Sequence, residues 1–243
     1  KINVFGSLVG KEELEAVGEC LNSQWLGMGP RTEKFEREFA RRRGLPNIVL
    51  LSSGTDALFM ALKILDLPVG GEIILPAFTW VGCAHAVRLA GCRPVFCDVD
   101  YETQNVTVDT IQPHITPNTA AIMVVHYAGL PANMREIVEM GLPVIEDAAH
   151  AVDSMHKGRA CGAWGDAGVY SFDAVKNLVM GEGGAVTASK ATMLEKARSL
   201  RYCGMGQSGV EASKEVLRWW EHGSVEVFPK MLPSDICAAV GLA

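Results

Sequence analysis

At 243 residues and 49% hydrophobic content, the chain has material for one large core, and a single α/β domain is the simplest division. A formal net charge of -6, with no basic cluster beyond Arg41, Arg42 and Arg43, argues against a nucleic-acid or anionic-membrane surface. No run approaches the roughly 20 apolar residues that cross a bilayer, and the seven cysteines, odd in number and without a C-x-x-C pair, read as reduced, buried thiols of a cytoplasmic protein.

Two amphipathic helices open the chain, over about 10–22 and 31–43. In the second, Phe35 and Phe39 lie four apart among charges, and Arg41 to Arg43 fall in the last turn, where cations favour the helix dipole. Short β-branched runs then alternate with helical patterns. Strands are expected at 47–52, 72–76, 94–99, 120–127, 143–147, 168–172 and 184–188, several of them apolar throughout, as strands buried on both faces must be. Helices are expected at 55–65, 80–90 and 191–201, where apolar residues recur at three and four. The region 204–233 is less regular. This alternation predicts an α/β fold of three layers with a mostly parallel central sheet. The opening KINVFGSLVGKEELE turns charged too soon for a secretory signal, and the chain stops inside the helical SDICAAVGLA without a cap, so a piece of a longer protein is expected.

In open α/β sheets, ligands bind outside the carboxyl ends of the strands, and three such ends carry polar residues. At Ser52-Ser53-Gly54-Thr55 a strand turns through glycine into a helix, whose free amides and hydroxyls form an anion cradle; a plain N-cap is the other reading. Asp147 ends the apolar PVIED, where a carboxylate either faces a ligand cation or caps a helix. Lys176 lies in a loop between Val175 and Leu178, ahead of Gly181-Glu182-Gly183-Gly184. It is either a surface lysine or an amine whose desolvation favours attack on an aldehyde. Together the three match the demands of pyridoxal 5'-phosphate (PLP), which needs a phosphate cradle, an acid for its ring nitrogen and an amine for its aldehyde.

The stretches SQWLGMGPRTEKFEREFA, SSGTDAL, LPAFTWVGCAHAV with PVFCDVD, VVHYAGLPANM, VIEDAAHA, YSFDAVKNLVMGEGGAV and SDICAAVGLA, in this order, resemble the DegT/StrS family of PLP-dependent sugar aminotransferases, of the fold-type I aspartate aminotransferase superfamily. The resemblance implies that residues 1–243 are the PLP-binding large domain, with a smaller C-terminal domain missing from this chain. It implies that Lys176 binds the aldehyde, Asp147 keeps the ring nitrogen protonated, His150 lies near the phenolic oxygen and Trp80 stacks on the ring. Gly54, Thr55 and Ser171 would hold the phosphate. It further implies transfer of an amino group, with glutamate as donor, to a keto group of a nucleotide-linked deoxysugar, in a homodimer with the site at the subunit interface. Where relatives carry an Asn and an Arg two apart, this chain has Phe228 and Lys230, which puts the cross-subunit phosphate contact in question.

Two other functions stay open: amination of a free cyclic ketone of aminocyclitol type, and a non-catalytic regulatory module of the same fold. The related C-3 dehydration branch replaces the lysine with histidine, so Lys176 speaks against it. The literal G-x-G-x-x-G at Gly204 to Gly209 follows a helical stretch and not a strand, which removes the dinucleotide-binding context. His85, His114, His126, His150, His156 and His222 show no metal-type spacing with the cysteines; structural roles are expected for all but His150, with His126 left open.

Overall fold

The computed structural model describes residues 7–205 and 223–243. Two helices, α1 (Lys11–Asn22) and α2 (Pro30–Arg43), precede the sheet. Helix α2 starts with Pro30 at its first position, places Arg41, Arg42 and Arg43 in its last turn and ends at Gly44, whose φ of 65° closes the helix in the left-handed region. The rest alternates strand and helix: β1 (Val49–Leu51), α3 (Gly54–Ile64), β2 (Glu72–Pro76), α4 (Val81–Leu89), β3 (Arg93–Cys97), α5 (Val108–Ile111), β4 (Thr119–Val125), α6 (Met134–Glu139) and β5 (Val144–Asp147). A small hairpin, β6 (Met155–His156) and β7 (Arg159–Ala160), leads to β8 (Ala167–Ser171), β9 (Gly184–Ala188), α7 (Ala191–Leu200) and α8 (Asp235–Leu242).

Seven strands form one sheet in the order β1-β9-β8-β5-β4-β2-β3. Strand β9 runs antiparallel to both neighbours, and the remaining pairs are parallel. The carboxyl ends of β1, β8, β5, β4 and β2 therefore share one edge, and that edge carries the site.

Successive strand residues feed opposite layers, as the pleat requires. Val49 and Leu51 pack with α3, α4 and α7 through Leu58, Val87 and Leu194, while Leu50 between them packs with Phe35 and Phe39 of α2 and Ala238 of α8. Ile73 and Leu75 join the first cluster, and Ile74 joins Ile137 of α6 and Ile122 in a third. Both faces are covered, which is why these strands read as unbroken apolar runs. Asp235 ties the last helix to the second from complete burial: its carboxylate accepts the amides of Gly29, Arg31 and Thr32 at 2.9 to 3.0 Å and so caps α2 across the fold.

The seven expected strands and five long helices all form, with ends shifted by two residues at most. Sequence periodicity did not reveal α5, α6 or the β6–β7 hairpin, each too short to show a period. The G-x-G-x-x-G stretch, from its third residue on, and His222 lie outside the described residues.

Candidate active site

The start of α3 is built by its cap. Ser53 has extended backbone and its hydroxyl accepts the Asp56 amide at 3.1 Å, while the Ser52 hydroxyl donates to Asp56 Oδ2 at 2.5 Å and draws that carboxylate into the turn. The first-turn amides of Gly54 and Thr55 have no intrahelical acceptor and sit at the positive end of the helix. Ser171, the last residue of β8, closes on them. A Cβ at Gly54 would lie 2.8 Å from Ser171 Cβ and 2.9 Å from its Oγ, so only glycine lets the hydroxyl reach this turn. A Cβ at Gly184 would meet the Ser53 carbonyl oxygen at 2.2 Å, so β9 also needs a glycine to pass beneath the same loop.

Asp147 ends β5 and is only 5% exposed. Its Oδ1 accepts the Ala149 amide at 3.0 Å and its Oδ2 accepts the Cys83 thiol at 3.2 Å. Among the described residues, no lysine, arginine or histidine pairs with it. A buried carboxylate with capacity to spare is suited to meet a cation.

His150 stands three residues further on. Its Nδ1 accepts the Ala128 amide at 3.3 Å, which puts the single ring proton on Nε2. Partial burial first, and then the nearby Lys176 charge, hold its pKa below the ordinary histidine value, against the opposing pull of Asp147. The imidazole is therefore a neutral donor near pH 7. The Ala128 amide reaches it because the turn after β4 is left-handed at Ala128, with φ of 50°, and at Gly129, with φ of 84°. Tyr127 packs edge-on against His150 at 5.8 Å and lies 4.5 Å from the Phe78 ring.

Lys176 sits half-buried in the loop after β8. That loop is pinned at its base by Met180 N–H to the Phe172 carbonyl at 2.8 Å and Phe172 N–H to the Gly183 carbonyl at 2.9 Å, with the Lys176 amide on the Asp173 carbonyl at 2.9 Å. Trp80 caps the start of α4, 70% exposed, and its indole folds back over Gly82, where a Cβ would stand 2.7 Å from the ring and 3.1 Å from Thr55 Oγ1.

These groups meet in one cavity of about 320 Å³. Gly54, Thr55, Trp80, Asp147, His150, Ser171 and Lys176, all singled out from the sequence, line it together. Phe228 and Lys230 do not. Phe228 is buried against Phe59 with ring centroids 5.3 Å apart, and exposed Lys230 bridges to Tyr202 through its backbone. Sequence reading passed over Thr79, Tyr127, Asp173 and Glu182, which also line the cavity. Tyr127 was within reach of the strand-end rule, since the expected strand 120–127 ends on it. Among the described residues, Lys176 is the one lysine or arginine in the lining. The arrangement offers an amide-and-hydroxyl cradle for an anion, a desolvated carboxylate for a cation, a primary amine and an aromatic lid.

The chain matches the DegT/DnrJ/EryC1/StrS aminotransferase family over residues 8–243. It is 42% identical to a dTDP-4-dehydro-2,3,6-trideoxy-D-glucose 4-aminotransferase of Saccharopolyspora spinosa, with 99% of this chain aligned to 64% of that protein. The chain thus spans just under two thirds of that relative's length. Among solved structures, the aminotransferase TlmJ from Streptoalloteichus hindustanus superposes with a TM-score of 0.91 at 41% identity, over 99% of this chain and 65% of its own. The PMP-form of Spr1654 from Streptococcus pneumoniae superposes with a TM-score of 0.92 at 27% identity, over 100% of this chain and 66% of its own.

Proposed function

The chain belongs to the DegT/DnrJ/EryC1/StrS aminotransferase family, and from that membership we propose that it forms the PLP-binding large domain of an enzyme that moves an amino group from an amino acid, glutamate, to a keto group of a nucleotide-linked deoxysugar. The observation that carries the reading is the convergence of seven residues, from four separate stretches of sequence, on a single cavity. The printed activity of the Saccharopolyspora relative supports the nucleotide-linked acceptor.

When bound, PLP supplies an aldehyde that receives the amine and a protonated ring that draws electrons from the adjacent bonds. The first-turn amides of α3, with the Thr55 and Ser171 hydroxyls, would take the phosphate; among the described residues the cradle holds no lysine or arginine, so the helix end and its hydrogen bonds would do the work of a counter-ion. Asp147 would keep the ring nitrogen protonated. His150 Nε2–H would donate to the phenolic oxygen, and Trp80 would cover a ring face. Lys176 Nζ would bind the aldehyde, and once displaced by the incoming amino acid it would carry a proton between the substrate carbon and the cofactor carbon.

A donor amino acid brings carboxylates, yet the lining offers Asp147, Asp173 and Glu182 against a single lysine already engaged. A cationic receptor for them therefore lies outside the described residues of this lining, and a homodimer whose partner subunit completes the site would be one source of it. No helix among the described residues is long and apolar enough to cross a membrane. The unpaired thiols and the acidic net charge support a cytoplasmic enzyme.

The test is spectroscopic. The full-length protein with PLP should show a visible absorption band that glutamate bleaches, and Lys176→Ala should retain PLP while losing the band. A colourless protein indifferent to added PLP would remove the enzyme reading. Half-reactions run with nucleotide-linked ketosugars beside free cyclic ketones decide the acceptor, and turnover of the cyclic ketones alone would replace it.

A further inference from the structure

Asp147 is held from two directions, and one of the holds comes from a side chain with no part in the function just proposed. The Ala149 amide, two residues away on the same segment, fixes Oδ1 at 3.0 Å. That local bond alone leaves the carboxylate free to turn about its own axis. The second hold comes from α4, which is 64 positions away in sequence: Cys83 Sγ lies 3.2 Å from Oδ2. We infer that Cys83 is a positioning residue whose thiol fixes the plane of the Asp147 carboxylate toward the cavity. This inference rests on the proposed PLP site.

The direction of the hydrogen bond follows from the surroundings. Cys83 is 0% exposed, so no water competes for its proton. Its sulfur touches two oxygens, Asp147 Oδ2 and Thr79 Oγ1, the latter at 3.1 Å. A carboxylate only accepts, whereas a threonine hydroxyl donates or accepts. The order that satisfies all three groups is Thr79 O–H to sulfur and Cys83 S–H to Asp147. Burial, reinforced by the neighbouring carboxylate, pushes the thiol pKa far above its ordinary value, so the donor never becomes a repelling thiolate.

A thiol also suits the task chemically. A lysine or arginine in its place would neutralise Asp147 and compete with the ligand cation. A neutral, weak donor orients the carboxylate and leaves its charge available.

The experiment compares Cys83→Ala and Cys83→Ser in the full-length protein by three readouts: equilibrium PLP affinity, the pH midpoint of the visible band, and the melting temperature without PLP. Loss of the donor in Cys83→Ala should weaken PLP binding about three- to tenfold. It should also raise the pH midpoint, because a carboxylate that turns holds the protonated ring nitrogen less well and the nitrogen contributed by Lys176 then keeps its proton to higher pH. Cys83→Ser, which restores a donor, should lie close to the parent in both. A role in packing alone would lower the melting temperature of Cys83→Ala and leave both PLP readouts unmoved. That result, or a serine variant no better than alanine, overturns the assignment. If Cys83→Ala does not fold, Cys83→Val fills the space without a donor and carries the same expectation. A parent protein without a visible band would instead sink the proposed function, and this inference with it, so the two failures are told apart.

Discussion

Glu146 and Asp147 are consecutive carboxylates on one strand, both buried, and they have opposite fates. Glu146 is 0% exposed and points to the face away from the cavity. It accepts the amides of Gly162, Trp164 and Gly165 at 2.9, 2.5 and 2.7 Å, and His126 Nε2 stands 2.9 Å away. His126 is itself anchored at Nδ1 by the Ala132 amide at 3.2 Å, which turns Nε2 toward Glu146. Every accepting direction of that carboxylate is filled, and it serves as a clamp that gathers the 162–165 turn and the 126–132 loop onto β5. Asp147, one residue on, has two partners and an open side toward the cavity. Burial alone does not separate scaffold from site; the number of unfilled hydrogen-bonding directions does.

Substitutions on the two sides should break differently. The largest effect is expected on the scaffold side, where Glu146→Gln turns an amide N–H₂ toward backbone amides and leaves buried donors unpaired; a loss of about 3 kcal/mol or more in unfolding free energy should appear in a denaturant melt without PLP. Asp147→Asn should leave that melt within about 1 kcal/mol of the parent and lower the amino-transfer rate on the order of a hundredfold, read by single-turnover kinetics with glutamate. Equal stability losses for the two variants would erase the distinction. The smallest effect concerns His150. Its folded pKa is lowered by burial and by Lys176, so protonation sets in below the ordinary histidine range, and the rate should fall on the acid side of a pH profile as His150 takes up a proton. The sign is that of a depressed group: the neutral form prevails at pH 7 and is lost as pH drops through the lowered value. His150→Gln, which donates without titrating, should keep the rate within about tenfold and flatten the acid limb, and an acid limb unchanged in that variant would assign it to another group.

Much of this was legible in the sequence because the signals are local. Ser53 before Gly54-Thr55 marks a helix cap, and an apolar PVIED followed by Ala148 marks a strand end with a carboxylate on it. The β6–β7 hairpin was not read because its two-residue turn pairs Lys157, with φ of 47°, with Gly158, with φ of 80°; the glycine is the expected signal for such a turn, but the lysine is not. Cys83 gave no sign at all. In sequence it is one thiol in an apolar helix, and its partner Asp147 lies five elements later, in β5.

From the sequence alone came the succession of strands and helices, the double-sided burial of the strands, and the residue types collected at their carboxyl ends, since each depends on neighbours within a turn or two. Period-two alternation also required Glu146 and Asp147 to face opposite ways. The strand-end position already pointed to Asp147 as the carboxylate for a ligand; what Glu146 meets on the other face was decided only by tertiary structure, because that depends on the strand order, on β9 inserting antiparallel between β1 and β8, and on which segments pack on each side. The same long-range packing brought α4 to Asp147 and turned Phe228 inward onto Phe59, contacts that no local pattern encodes.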